Sequence, residues 1–394
     1  MATVKAVGII YSLVALLIAS PSAWAQSTRA GSIAEEQAEK AKQLGTEGPG
    51  DAELVIRRLL LSPLLSGGDG LYPWFGSVFG GAGMSVGAGY LKRLEKAAYF
   101  NLQSGISINA STMLRATVGA PELWRGMLLV EASAEWIDAK DVSFYGFGQQ
   151  SPAATRERYD FSPKDVGGNV TFRPRRFVSL SGSYLNRHIG TERDVPIFSE
   201  EQAPGLDQDL VFDSSRATVA FDWRTSPGYS TRGGYYRASY ERNHERKGLP
   251  YSFNLQEYEV VQLMPLVREQ FVLAFRGLTT LTTADEGDEV PVMLAPFLGS
   301  GSTLRSYSTR RFTDRNRVLL TGEYRWRPSR YLDMAVFVDA GQVAADRHEF
   351  TTRAFDVSWG IGARFHGPAF NAVRVEIARG REGFHLIFSG SQPF

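Results

Sequence analysis

The stretch Tyr331-Leu332-Asp333-Met334-Ala335-Val336-Phe337-Val338-Asp339-Ala340-Gly341 decides the fold. In an extended chain successive side chains point to opposite faces. Leu332, Met334, Val336 and Val338 therefore share one face, while Asp333, Ala335, Phe337, Asp339 and Gly341 share the other. The first face suits lipid and the second an aqueous lumen. The same alternation recurs over residues 318–394 in segments of about ten residues, separated by short turns and with no closing tail, which is the pattern of a transmembrane β-barrel.

Upstream, period-two segments continue back to about residue 71, among them 84–91, 98–108, 112–120, 127–137, 168–173 and 177–188. Fifteen strands are readable, the last running from Phe384 to the end. Residues 74–91 are Gly-rich and ambiguous, and an even strand number places one more strand there. At roughly 20 residues per strand with its connection, the region after Leu71 also suggests about 16. The expectation is an all-β fold, a 16-stranded antiparallel barrel. Connections alternate in length: tight turns at Arg173-Pro174-Arg175 and Arg327-Pro328-Ser329, longer polar loops over 189–213 and 282–317. Short turns on one side and long loops on the other is outer-membrane topology.

The first residues read as an export signal. Lys5 precedes an apolar run over 6–19, and Ala23-Trp24-Ala25 offers small residues at both positions a signal peptidase reads. The run is shorter than the roughly 18 residues a spanning helix needs. Residues 1–25 are thus expected to be cleaved, leaving Gln26 first. Residues 26–70 form a short helical or irregular segment, with Ser32 and Glu35 as a capping box and Gly45 as a stop, predicting a helix over 33–44. Residues 71–394 are the barrel.

Lys and Arg total 43 against 42 Asp and Glu, a net charge of +1, which gives no support to a nucleic-acid partner. Cysteine is absent, so disulfides, thiolate metal sites and cysteine nucleophiles are excluded. No cofactor is expected. Charge does gather on the inward faces: Thr321, Glu323, Arg325 and Arg327 lie opposite Leu320, Gly322, Tyr324 and Trp326. For most of these the plain reading is a solvated, self-paired wall.

The long loop before residue 318 carries Leu304-Arg305-Ser306-Tyr307 after the Gly- and Ser-rich approach Leu298-Gly299-Ser300-Gly301-Ser302. Together with Phe337-Val338-Asp339-Ala340-Gly341, this resembles the bacterial surface-antigen family. That barrel superfamily includes the central insertase of the outer-membrane assembly machinery and the translocator of two-partner secretion. Its members carry a Val/Leu-Arg-Gly-Phe/Tyr motif on the sixth extracellular loop and a Phe-x-Asp-x-Gly motif on the thirteenth strand. Phe144-Tyr145-Gly146-Phe147-Gly148 and the ending Gly390-Ser391-Gln392-Pro393-Phe394 are also similar to family elements.

The resemblance implies that Leu304, Arg305, Ser306 and Tyr307 fold back into the lumen, with Arg305 held by Asp339 and by Glu323. A planar guanidinium suits two carboxylates. Ser306 stands where the family has glycine; if that position needs a positive φ, serine reshapes the loop tip. The resemblance further implies that Phe394 is an aromatic assembly signal. Family members usually carry periplasmic POTRA domains, and a whole one does not fit into residues 26–70. The expectation is a barrel without them, set among outer-membrane lipids, built by the assembly machinery and served by an unidentified periplasmic partner.

The functional expectation is a translocation or membrane-assembly barrel rather than an enzyme. One alternative is a passive pore or structural barrel. Another is an outer-membrane lipid hydrolase, which needs a nucleophile and a base in contact. The five histidines, His188, His244, His348, His366 and His385, sit in no Gly-x-Ser-x-Gly or metal-ligand spacing and read as interfacial polar residues.

Overall fold

The computed structural model describes residues 69–394 apart from 81, 83, 84, 95–97, 194, 227, 228, 268, 330, 367–370, 391 and 392. The expected signal segment 1–25 and helix 33–44 lie outside the described residues.

Sixteen strands form one antiparallel sheet. The first eight are β1 (Gly70–Gly76), β2 (Ser85–Leu94), β3 (Ala98–Ser107), β4 (Thr112–Glu122), β5 (Leu128–Phe144), β6 (Glu157–Arg175), β7 (Val178–Glu192) and β8 (Leu210–Asp222). They continue as β9 (Gly233–Glu245), β10 (Phe253–Val267) and β11 (Phe271–Ala284). After a long loop follow β14 (Asn316–Trp326), β15 (Leu332–Ala344), β16 (Asp356–His366), β17 (Asn371–Gly380) and β18 (Gly383–Ser389). That loop contains its own small pair, β12 (Phe297–Leu298) and β13 (Phe312–Thr313). Every sheet neighbour is a neighbour in sequence, with β11 beside β14. Among the described residues no ladder joins β1 to β18, so a seam separates the first and last strands.

The alternation sets the two faces. Along β15, Met334, Val336 and Val338 are exposed while Asp333, Ala335, Phe337 and Asp339 are buried. Leu320, Tyr324, Trp326, Trp359, Ile361, Leu386 and Phe388 extend the outward apolar surface around neighbouring strands. Only lipid makes such a surface favourable, and the ladders satisfy the backbone groups that lipid cannot.

The strands depart from the sequence reading in several places; β7 and β8 run into the expected 189–213 loop, to Glu192 and from Leu210, and β6 runs through the expected turn at Arg173-Pro174-Arg175. β1 begins at Gly70 rather than within 74–91, because Pro73 is tolerated in a strand at the edge of the sheet. β5 and β6 run well beyond 127–137 and 168–173. A bulge between Ala139 and Val142, with Asp141 at φ 57°, breaks the period-two pattern that would have revealed the extension. β18 stops at Ser389, so the chain does have a closing tail: Gly390 and Pro393 are poor ladder residues.

Candidate functional site

The loop over 285–315, between β11 and β14, is the sixth on its side of the sheet, and β15 is the thirteenth strand in sheet order. This loop 6 folds inward. Leu304 and Tyr307 pack with Leu298, Phe312, Leu278, Leu319 and Val343. Tyr307 Oη donates to Asp356 Oδ1 at 3.0 Å, and burial pushes its phenol up to about 12, so it remains a donor. The positive φ values in this part of the loop belong to Gly299 and Arg310, not Ser306. Serine therefore costs nothing in backbone strain here. Its amide donates to Ser358 Oγ at 2.9 Å, and the absence of a Cβ at Gly380 leaves room for its side chain.

Arg305 is 1% exposed. Its Nε and Nη2 donate to the two oxygens of Asp339 at 2.9 and 2.8 Å, a bidentate fork. Nη1 donates to Glu323 Oε1 at 2.7 Å and to Glu376 Oε2 at 3.1 Å. The guanidinium carbon lies 3.3 Å from the centroid of the Phe337 ring. The Phe-x-Asp-x-Gly spacing now has a physical reading. Phe337 supports the guanidinium, Asp339 takes its fork, and Gly341 makes space: a Cβ there would lie 2.8 Å from Leu298 Cδ1 and 3.3 Å from Leu304 Cγ.

Glu323 is the hub. Besides Arg305 it accepts from Arg325 Nε at 2.8 Å and from both terminal nitrogens of Arg364 at 2.9 and 2.8 Å. Arg364 also reaches Glu376 Oε1 at 2.8 Å, and Arg374 reaches Glu376 Oε2 at 3.1 Å and the Gly301 carbonyl at 2.8 Å. Four buried guanidinium groups thus face three buried carboxylates on β14 to β17 and loop 6. A buried charge is tolerable only when paired and hydrogen-bonded, so each member depends on the others.

Leu304, Arg305, Ser306, Tyr307, Glu323, Phe337, Asp339 and Gly341 all meet in this one cluster. Glu376, Arg364 and Arg374 were missed. Their inward alternation was visible, but their depth in the barrel follows from strand register. Phe394 does not join the lipid face: its ring packs inside, against Val261, Leu263, Val272 and Ala274.

Two further contacts lie toward the ends of the lumen. The Phe144–Gly148 element docks on loop 6, Gly148 N donating to Thr313 O at 3.0 Å, while Arg311 Nη2 donates to the Ser151 carbonyl at 2.8 Å. At the short-turn end, Tyr229 from the β8–β9 turn donates to Asp333 Oδ2 at 2.7 Å and stacks on His366 with centroids 3.7 Å apart. His366, read from sequence as interfacial, is 2% exposed and lies 3.2 Å from Asp333 Oδ1.

The opposite wall differs. Lumen-facing Asn101, Gln103, Arg115, Glu131, Ser133, Glu135, Asp165, Asn169, Ser183 and Arg187 on β3 to β7 are all only partly buried. Water reaches that side.

A seamed, 16-stranded barrel with a loop drawn into it by an arginine defines a class of outer-membrane protein. Residues 112–383 match the Omp85 superfamily domain, and the chain belongs to that superfamily. Three solved structures share the fold. BamA from Haemophilus ducreyi lacking POTRA domains 1–3 has 15% identity and a TM-score of 0.61, covering 82% of this chain and 70% of that one. CdiB from Escherichia coli has 13% identity and a TM-score of 0.55 (81% and 61% covered), and CdiB from Acinetobacter baumannii 11% and 0.50 (81% and 58%). No curated protein matches the sequence. The protein is an outer-membrane barrel of this superfamily, whose members meet outer-membrane lipids and the assembly machinery. Among the described residues no group of three or more His, Asp or Glu side chains is placed to hold a metal ion.

Proposed function

We propose that this barrel is a translocation or membrane-assembly conduit in which loop 6 is a fixed partition rather than a free flap. The carrying observation is the asymmetry of the lumen: the β14–β17 side is filled by the Arg305 cluster, while the β3–β7 side presents half-exposed polar groups. Such a wall solvates an extended polar chain without binding it tightly, as passage requires. The apolar belt faces outer-membrane lipid. Phe394 acts as an assembly signal before the tail is drawn inside.

Planar-bilayer recording tests the partition. The unmodified barrel should show small or flickering conductance, and Arg305→Ala should raise it severalfold. A large, steady conductance that Arg305→Ala leaves unchanged would instead favour a passive pore.

A further inference from the structure

Pro393 and Phe394, which follow β18, lie in the lumen against β10 and β11. β18 is the sixteenth strand of the sheet, whereas the residues that hold the Phe394 ring belong to the tenth and eleventh. Val261, Leu263, Val272 and Ala274 form an apolar patch beside the charged Glu259 and Arg276 on the same inward face, and left bare it would face lumenal water. The Phe394 ring packs on it, beside Tyr235. Two guanidinium groups flank the ring, Arg325 at 5.1 Å and Arg276 at 5.9 Å from its centroid, within cation–π range.

Both arginines also reach loop 6 or its anchor. Arg276 is fixed by Glu259 at 2.8 Å, and its Nη1 donates to the Pro393 carbonyl at 3.3 Å and to the Ser302 carbonyl of loop 6 at 2.9 Å. Arg325 donates to Glu323, the hub that receives Arg305. One nitrogen thus bridges the tail and the loop, and the second arginine links the ring to the hub.

We propose that this arginine-flanked apolar pocket is a binding site for an aromatic side chain, with Phe394 as its resident ligand, and that its occupancy couples seam strand β18 to loop 6. Movement of the end of β18 would withdraw the ring, uncover the patch and release Arg276 from one of its two carbonyls. The ring is an internal latch. The pocket does not depend on what the barrel transports.

The absence of native cysteine makes the test direct. Val272→Cys places a thiol in the pocket and Ser302→Cys one on loop 6; each is reacted with a charged, water-soluble thiosulfonate in folded barrels, verified by heat-modifiable gel migration. Adding Phe394→Ala should raise the rate at position 272 at least tenfold, and Phe394→Trp should restore protection. An unchanged rate at 272 would overturn the pocket assignment. Coupling predicts at least a threefold rise at position 302 as well; a rise at 272 alone would overturn the coupling. Because neither readout is conductance, failure here is distinguishable from failure of the conduit reading.

Discussion

The two sides of the lumen use the same residue types to opposite effect. On β14 to β17, Arg305, Arg325, Arg364 and Arg374 meet Glu323, Asp339 and Glu376, with every side chain buried. On β4 to β7, Arg115 pairs with Glu135 and Arg187 with Asp165, but the Arg115 side chain is 42% exposed. A paired charge in water contributes about 0–1 kcal/mol, whereas orphaning a buried partner costs about 3–5 kcal/mol. What distinguishes the sides is therefore loop 6, which excludes water from one of them.

The largest break in this asymmetry should come from Glu323→Ala. It removes the carboxylate that Arg305, Arg325 and Arg364 share, and we expect a loss of about 5 kcal/mol in reversible urea unfolding from lipid vesicles. Arg305→Ala should cost about 3–4 kcal/mol, since Glu323 keeps two arginines while, among the described residues, Asp339 keeps only Thr321 Oγ1 as a side-chain donor, at 3.0 Å. A double-mutant cycle with Asp339→Asn should return a coupling of about 2–3 kcal/mol, and additivity would deny the contact.

Arg115→Ala is the matched control on the open side and should change unfolding by less than about 1 kcal/mol. Ser306→Gly should fall within about 0.5 kcal/mol of the unmodified protein, because the position has an ordinary φ and the hydrogen bond from its backbone N–H to Ser358 Oγ is retained. A large stabilisation by glycine would show that the loop tip is strained after all.

Much of this was legible in the residues. Period-two alternation gave fifteen strands and the inward faces of β14 and β15, because one lipid-facing and one lumen-facing side impose opposite demands on consecutive residues; the sixteenth came from the even strand number of such barrels. The resemblance in residues 304–307 and 337–341 gave Arg305 with Asp339 and Glu323. Glu376, Arg364 and Arg374 were not legible as partners: alternation fixes which way a side chain points, while its height depends on register, which the turns and bulges set. The bulge at 139–142 hid the length of β5 for the same reason. The fate of Phe394 was hidden because an apolar residue near a strand end looks alike whether it meets lipid or an apolar patch inside. His366 became a lumenal residue only when the β8–β9 turn brought Tyr229 across to it.

The central claim is that loop 6, held by Arg305, keeps water from one side of the lumen and leaves the other open. Ser358, fully buried beneath Ser306, and Ser183, half-buried on the β7 wall, report the two sides. With single cysteines at these positions and a charged thiosulfonate, Ser183→Cys should react at least tenfold faster than Ser358→Cys, and adding Arg305→Ala should bring the rates together. Equal rates in the unmodified loop background would contradict the account.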